Sequence, residues 1–430
     1  MKIINLEKVN EKLYYERLNN GLEVYILQKK DFYMGTARFV TKFGGLDLEF
    51  VPINEEKMVK MPSGIAHFLE HKLFEQKDGL SVDDFYKKSG SYINAFTNYE
   101  KTCYHFSCNN NFKENLIFLL DFVQSPYFTD KNVEKEKGII KQEALMNLDN
   151  PNRKFNRKTY ENLFNSLYYD KPVVGTLSDI EKITKEDLYK CYNTFYHPTN
   201  MCLLIVTNDN VKDVMNIIKE NQLKKSFKND FKIIKKQIKE ELNVKKDYEI
   251  IFEKVNQTRV AYSLKLDRED FKIADKSELF YYLDILLING VGSFSDFNLN
   301  LKKNKIIEGN ISYDINFIDT LDRNYIKISF YALTEKYEEF INLLENNLKK
   351  LKISKEDFNL HKKGILSETI YDFNNVNGIM GFLYTEYNFT NAITEKSTNI
   401  DIKYDDILKV INSIKLDNKS IVIMKPKIDS

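Results

Sequence analysis

An internal repeat is the feature that most constrains the fold, because two similar halves of a chain predict two similarly built domains. The matched segments are 104–125 with 325–348, 131–152 with 355–377, and 200–209 with 418–427. The first pair has the pattern of a strand, a polar turn and an apolar-faced helix, and the last pair are apolar strands that close each half. Three matches in the same order predict two related domains of about 210 residues each.

Strand and helix patterns occur in mixed order along each half, without a regular alternation of strand and helix. This order favours the α+β class over a doubly wound parallel sheet, so we expect two homologous domains, each a mostly antiparallel sheet packed with helices. We place the first domain at residues 1–222 and the second at 247–430. Residues 223–246 are rich in charge and lack glycine and proline, which predicts an extended or partly helical linker.

Composition excludes several classes of protein. Lys and Arg number 64 against 63 Asp and Glu, spread in small mixed clusters, which argues against a nucleic-acid-binding protein. No run approaches the roughly 18 apolar residues of a membrane span, and residues 1–12 lack the apolar core of a secretory signal. The four cysteines do not form a disulfide framework, so a cytoplasmic location is expected. Cys103 and Cys108 are more consistent with buried thiols than with metal ligands.

The segment with recognisable chemistry is residues 63–75, SGIAHFLEHKLFE, in which His67, Glu70 and His71 form an H-x-x-E-H pattern. On a helix, positions i, i+3 and i+4 share one face, so both imidazoles can point at one ion with a carboxylate beside them. Ordinary core or capping histidines are the alternative, but two of only five histidines fall within this five-residue window. The pattern predicts one Zn²⁺ per chain, with Glu70 as the general base.

The H-x-x-E-H order is that of the inverzincins. Essentially the whole chain resembles the insulinase/pitrilysin-type zinc metallopeptidases, in particular their short bacterial and mitochondrial-processing-peptidase-like branch. The segments that carry the resemblance are GIAHFLEHKLFE, GSYINAFTNYEKTCYHFS, VEKEKGIIKQEA and TFYHPTNMCLLIV. Subunits of this length in that family consist of two homologous α+β domains, in agreement with the internal repeat.

A third zinc ligand is implied by the resemblance. In that family it is a glutamate on a later helix of the form E-x-x-x-x-x-x-E. Spacing alone leaves Glu134, Glu136 and Glu143 open, and a solvated acidic helix face is the plainer interpretation of this stretch. The resemblance implies that Glu143, seventy-two positions after His71, is the ligand and that Glu136 is a supporting residue of the catalytic site.

The substrate strand is a second implication of the resemblance. The family binds extended peptides along an edge strand carrying N-A-F-T, which matches Asn94, Ala95, Phe96 and Thr97. An edge strand offers free backbone N–H and C=O groups to any extended peptide, so it gives affinity without demanding one sequence. An ordinary internal strand is the alternative.

The second half of the chain departs from the family pattern. Residues 277–297 correspond to the zinc-binding segment and contain no histidine, which predicts a non-catalytic copy. Active members also use an Arg and a Tyr in the form L-R-x-x-x-x-L-G-Y, but here Lys302 and Gly309 occupy those positions, with Tyr313 available if the alignment shifts. This departure implies a homologous partner subunit that supplies the Arg/Tyr pair, in a heterodimer rather than a homodimer.

The sequence therefore predicts a zinc-dependent endopeptidase subunit that hydrolyses short extended peptides by metal-activated water, with Glu70 as general base, inside a heterodimeric chamber. The alternative from another class is a non-catalytic scaffold or binding subunit of a peptidase-like complex. Such relatives typically lose a motif residue, whereas this chain keeps all four of His67, Glu70, His71 and Glu143. Neither a nucleic acid nor a membrane span is expected.

Overall fold

The computed structural model describes residues 1–77, 79, 81–227, 232–320, 323–399 and 401–427. The strands are β1 Lys2–Leu6, β2 Glu11–Arg17, β3 Glu23–Gln28, β4 Gly35–Thr41, β5 Glu49–Val51, β6 Val59–Lys60, β7 Tyr92–Thr97, β8 Thr102–Cys108, β9 Met201–Thr207, β10 Ile234–Lys235, β11 Tyr248–Glu253, β12 Arg259–Asp267, β13 Glu308–Asp319, β14 Asn324–Leu333 and β15 Lys419–Pro426. The helices are α1 Ile65–Leu73, α2 Val82–Lys88, α3 Phe112–Val123, α4 Asp130–Leu148, α5 Pro151–Leu163, α6 Leu177–Lys182, α7 Lys185–Phe195, α8 Val211–Leu223, α9 Lys276–Val291, α10 Asp296–Lys303, α11 Tyr337–Leu348, α12 Lys355–Asp372, α13 Val376–Thr390 and α14 Tyr404–Ser413.

Two main sheets carry the fold. Within the described residues, the first sheet has the order β1-β2-β3-β9-β4-β8-β7 and the second has the order β11-β15-β12-β14-β13. The pairs β3–β9 and β11–β15 are parallel, and the other pairs in both sheets are antiparallel. The five strands β3-β9-β4-β8-β7 thus repeat the order of the second sheet strand for strand. This match confirms the prediction of two related α+β domains.

Chain contacts divide the described residues into two compact units. The first unit takes residues from Met1–Met146, Lys171–Lys236 and Glu368–Asn399, and the second from Asn147–Asp170, Gln237–Ser367 and Ile400–Ser430. Each unit therefore includes one segment from the other half of the sequence. This grouping follows spatial contacts and does not test the domain boundaries drawn from the repeat, which stay predictions.

Helix α13 completes the core of the first unit. Its apolar residues Ile379, Leu383 and Tyr387 pack in one cluster with Tyr25 and Leu204 of the sheet. Central strand β9 is buried at every residue, in keeping with its apolar sequence MCLLIVT. Strand β9 is therefore covered on both faces of the sheet.

The second unit contains a buried ion pair that anchors part of the charged region 223–246. The Nζ of Lys265 on β12 donates to Glu240 Oε1 at 2.6 Å, and neither side chain is exposed to solvent. Glu240 also accepts the backbone N–H groups of Asn165 and Ser166, each at 2.8 Å. The predicted linker is therefore partly buried: among its described residues it forms the short strand β10 and contains this glutamate.

Replacing Glu240 with alanine is expected to lower the free energy of unfolding by about 3–5 kcal/mol, because Lys265 would keep a buried charge without its partner. Chemical denaturation of the purified protein measures this loss. The neighbouring exposed Glu241 supplies the matched control, Glu241→Ala, which we expect to be nearly neutral. Equal stabilities of the two variants would show that the buried pair does not stabilise the fold.

Two further expectations concern the whole chain. Cys103, Cys108, Cys191 and Cys202 are buried free thiols, which confirms the interpretation of Cys103 and Cys108. In the ranges that the structure describes, no helix has the length and apolar character required to cross a membrane.

Candidate metal centre

Helix α1 positions the H-x-x-E-H residues, and its start is fixed by a close contact with another segment. Gly64 has φ +89°, and a Cβ at this position would lie 2.5 Å from the carbonyl oxygen of Val174, so a side chain has no room there. The preceding Ser63 donates its hydroxyl proton to Asp179 Oδ2 at 2.7 Å. Ile65, Phe68, Leu69 and Leu73 are buried and attach the helix to the core. The H-x-x-E-H residues thus lie on a helix, α1 Ile65–Leu73, as the sequence predicts.

The two histidines of α1 meet a glutamate of α4. The Nε2 atom of His67 lies 3.6 Å from Glu143 Oε1, and the Nε2 atom of His71 lies 3.6 Å from Glu143 Oε2. The imidazole rings themselves are 4.6 Å apart between centroids. One carboxylate therefore faces both imidazole nitrogens.

These three side chains fit a metal ion. One ligand atom from each of His67, His71 and Glu143 lies within 4.8 Å of the other two. Two zinc bonds of 2.0–2.2 Å span at most about 4.4 Å between ligand atoms, so the 3.6 Å separations are compatible with a shared ion. Two neutral nitrogens and one carboxylate oxygen are also the donor set of catalytic zinc sites that keep one position open.

The other two glutamates of α4 lie differently. Glu136 Oε1 is 3.1 Å from the Nδ1 atom of His71, on the far side of that ring from Glu143. Glu134 has an exposed side chain and accepts from Lys137 Nζ at 2.6 Å. Among the glutamates that spacing had left open, the structure brings Glu143 to the two histidines and Glu136 to the back of one of them.

The Glu136 contact orients His71. As a neutral imidazole, His71 donates its Nδ1 proton to Glu136, which leaves Nε2 unprotonated and directed toward Glu143. Burial lowers the pKa of His71, but the Glu136 hydrogen bond and the nearby Glu70 and Glu143 outweigh it, so the pKa is raised overall. A metal ion would thus compete with a proton for this ring.

Glu136→Gln is expected to weaken zinc affinity by about 10–100-fold, because the amide keeps the shape of the side chain but removes the charge that holds the His71 tautomer. A competition titration against a chromogenic chelator measures the zinc dissociation constant. The control is Glu134→Gln on the exposed face of the same helix. Identical zinc affinities for the two variants would contradict a supporting role for Glu136.

Glu70 is not one of the three clustered side chains and instead contacts strand β7. It is buried, with 7% of the residue exposed, and accepts a hydrogen bond from the Thr97 hydroxyl at 2.5 Å. Burial raises the pKa of Glu70, and the Thr97 hydrogen bond opposes the shift without cancelling it. A carboxylate with a raised pKa is a better proton acceptor than an exposed one.

The predicted substrate strand is an edge strand. Strand β7 ends the first sheet and, within the described residues, pairs only with β8. Its Ala95 N–H donates to the Asn94 side-chain oxygen at 2.8 Å. A cavity of about 620 Å³ is lined by Asn94 and Ala95 together with Glu70, His71 and Glu136. Phe96 follows on the same strand, and its ring packs against Tyr384 at 5.7 Å between ring centroids.

The positions that depart from the family pattern lie in the second unit. Lys302 is exposed at the end of α10, and its Nζ donates to Asn310 Oδ1 at 3.1 Å. Gly309 has φ +73°, a conformation that a tyrosine would adopt only with strain. The Tyr313 hydroxyl donates to Asp284 Oδ1 at 2.8 Å.

Comparison with known families agrees with this geometry. The family model described as Insulinase (Peptidase family M16) matches residues 58–177, and the one described as Peptidase M16 inactive domain matches residues 182–365. The chain belongs to the M16 peptidase family. In this M16 chain, the match over residues 58–177 contains α1 and α4. The match to the inactive domain contains residues 277–297, whose sequence has no H-x-x-E-H pattern.

Curated relatives of this M16 chain carry zinc protease names. A protein of Bacillus subtilis (strain 168) named an uncharacterized zinc protease, YmfH, is 46% identical over 241 residues, which are 56% of each chain. An uncharacterized zinc protease of Rickettsia bellii is 30% identical over 156 residues, which are 35% of this chain and 38% of the relative. The matches thus span about half, or less, of the relatives' own length.

Solved structures of M16 proteins share the whole fold. An M16-like peptidase of Alicyclobacillus acidocaldarius superimposes with a TM-score of 0.82 at 26% identity, covering 99% of this chain and 100% of that one. Pitrilysin superimposes with a TM-score of 0.75 at 18% identity, covering 98% of this chain and 46% of its own length. The second likeness shows the fold alone.

One contact of the site had no signal in the sequence pattern. Thr97 was expected only as part of the substrate strand, yet its hydroxyl binds Glu70 across twenty-seven positions of sequence. Strand alternation places Ala95 and Thr97 on one face of β7 and Asn94 and Phe96 on the other. The fact that the Thr97 face meets α1 becomes apparent only once the sheet and helix are packed.

Proposed function

We propose that this chain is a zinc-dependent endopeptidase subunit that hydrolyses extended peptides. The observation that carries the proposal is the convergence of His67, His71 and Glu143 beside the buried carboxylate of Glu70. Two neutral nitrogens and a carboxylate would hold the metal. The zinc protease names of the relatives support the choice of metal.

The chain's own residues then have distinct roles. When bound, zinc supplies Lewis-acid polarisation of the scissile carbonyl and of a water. Glu70 takes a proton from the attacking water and returns it to the leaving amine, a role that its burial favours by raising its pKa. The Thr97 hydroxyl holds the Glu70 carboxylate in place, and Glu136 holds the His71 ring.

Strand β7 would hold the substrate. An extended peptide adds to its free edge and forms main-chain hydrogen bonds, with its scissile bond near Glu70 across the cavity that both line. Asn94 must first release the Ala95 N–H, which its own side chain occupies. Backbone pairing of this kind accepts many sequences, so the chain would act on peptides as a class.

A partner subunit is part of the proposal. Where the family has Arg, Lys302 has a single ammonium group without the paired N–H donors of a guanidinium. Where the family has Tyr, Gly309 has no hydroxyl, and its backbone conformation disfavours Tyr. These two positions motivate a homologous partner that supplies the Arg/Tyr pair in a heterodimer. A homodimer is the second arrangement, and cytoplasmic location stays a prediction.

Cleavage of an extended peptide tests the proposal. Full-length protein, alone and mixed with a homologous subunit carrying the Arg/Tyr pattern, is incubated with peptide, and the fragments are identified by mass spectrometry. We expect cleavage that is lost on chelation, restored by one equivalent of zinc, and increased by the partner. A zinc-loaded complex that binds peptide and never cuts it would instead indicate a binding subunit. Full activity of the single chain would exclude the required partner.

A further inference from the structure

The face of the first sheet on which α13 packs, on the other side of β7 and β8 from α1, carries a row of three polar residues. Asn94 on β7 pairs with His105 on β8, and His105 pairs with Arg38 on β4. Residues paired directly across antiparallel strands point to the same face, so the three side chains form a line from the free edge into the sheet. The guanidinium of Arg38 ends this line.

Aromatic rings connect Arg38 to the edge strand. The guanidinium carbon of Arg38 lies 4.8 Å from the ring centre of Tyr384, which is 5.7 Å from the ring of Phe96 on β7. The His105 ring is 6.1 Å from Phe96 and 6.2 Å from Tyr92, whose side chain is largely exposed. The surface beside the predicted peptide-binding edge is therefore aromatic, with one permanent cation.

That cation has no acidic partner among the residues that the structure describes. Arg38 is half-buried, and its Nε atom is buried without a hydrogen bond. Its guanidinium lies over the ring of Tyr384, whereas a guanidinium removed from water is normally paired with a carboxylate. An unpaired cation at this position leaves hydrogen-bond capacity for a ligand.

Two buried cations of the second sheet, in contrast, have carboxylate partners. In the second sheet, Lys265 is paired with Glu240 at 2.6 Å, and Lys327 is paired with Asp314 at 3.0 Å. These lysines are themselves direct neighbours on β12 and β14, the two strands that correspond to β4 and β8 in the order shared by the two sheets. Among the described residues, these two sheet lysines thus have carboxylate partners, whereas Arg38 has none.

We propose that Arg38, with Tyr384 and the aromatic surface around His105, forms a subsite for a carboxylate of the bound peptide. The proposal rests on the proposed peptidase function and assigns it a substrate class, extended peptides with an acidic group. Alternate side chains of a peptide added to β7 lie on the Asn94 face and point over this surface. Three strand spacings, roughly 14 Å, separate such a peptide from β4. A Glu carboxylate therefore meets Arg38 only when both side chains extend toward each other along the sheet, and the shorter Asp does not reach it.

Binding of labelled peptides to the full-length protein tests this assignment without depending on cleavage. A neutral extended peptide is prepared with one Gln replaced in turn by Glu or Asp along its length, each with a free or an amidated C-terminus. Fluorescence anisotropy gives the dissociation constants. We expect Glu at one position to bind roughly tenfold more tightly than Gln, as a charge-assisted hydrogen bond to Arg implies. A preference that instead follows the free C-terminus assigns the subsite to the peptide's terminal carboxylate.

Variants of Arg38 identify the residue responsible. Arg38→Met should abolish the preference for Glu over Gln and leave the affinity for the Gln peptide unchanged. Arg38→Lys should keep part of the Glu preference, because lysine retains the positive charge but lacks the paired N–H donors of the guanidinium. Thermal melting shows whether each variant is folded. If Arg38→Met does not fold, the binding comparison is made with Arg38→Lys instead. Equal binding of all peptides by the unmodified protein, no binding at all, or a Glu preference that survives in Arg38→Met would overturn the proposal. Cleavage of the Gln peptide in the same samples would show that the peptidase function stands regardless.

Discussion

Glu70→Gln is expected to lower the turnover of an extended peptide by about 10²–10⁴-fold while one zinc per chain is retained. Glutamine has the size of glutamate and can still accept the Thr97 hydrogen bond, but it cannot take up the proton of the attacking water. The histidines and Glu143 are unchanged, so metal binding should be preserved. Single-turnover cleavage followed by mass spectrometry, with metal content measured in the same sample, gives both quantities.

Folding of Glu70→Gln should be intact. The substitution removes a buried group whose charged form is disfavoured by burial, so the melting temperature should be equal to or above that of the parent protein. Glu134→Gln on α4 controls for the loss of one acidic group near the site. Turnover of Glu70→Gln equal to that of Glu134→Gln would show that another group accepts the proton.

His71→Ala is expected to remove zinc from the purified chain. The loss of affinity should exceed the roughly 10–100-fold predicted for Glu136→Gln, since a ligand atom disappears rather than the group that orients it. Zinc should also raise the melting temperature of the parent protein and leave that of His71→Ala unchanged, because a metal that binds only the folded state stabilises it. Metal analysis by plasma mass spectrometry and thermal melts with and without zinc measure both effects.

A matched histidine is available as a control. His361 lies on α12, is partly exposed, and has no H-x-x-E-H context, so His361→Ala should keep its zinc and its response to zinc. If His71→Ala retained zinc as well as His361→Ala does, the metal would have to be held elsewhere in the chain.

The local part of the site could be predicted from the sequence. His67, Glu70 and His71 are separated by helical intervals, and a helix fixes which side such residues share whatever surrounds it. The α+β class could be predicted for a similar reason, since repeated strand and helix patterns are local properties. The third glutamate was different, because Glu134, Glu136 and Glu143 all lie on one helix and spacing does not distinguish them. The family resemblance implied Glu143, and the rotation of that helix against α1 brings Glu143 to both histidines.

The remaining features depend on long-range packing. An amphipathic pattern shows that α5 and α13 each bury one face but not which sheet they cover, and α5 contacts Ala261 while α13 contacts Leu204. The burial of Glu240 in a charge-rich segment was hidden for the same reason. Arg38 had no sequence signal at all, since an unpaired cation can be recognised only once its surroundings are known.

X-ray absorption at the zinc edge tests the central claim most directly, because it reports the atoms bound to the metal. Zinc-loaded protein should show only nitrogen and oxygen neighbours at about 2.0–2.2 Å, with the outer scattering of two imidazoles, as His67, His71 and Glu143 require. His71→Ala should lose one imidazole contribution or bind no zinc. A sulfur neighbour at about 2.3 Å, or a parent spectrum without two imidazoles, would contradict the assignment.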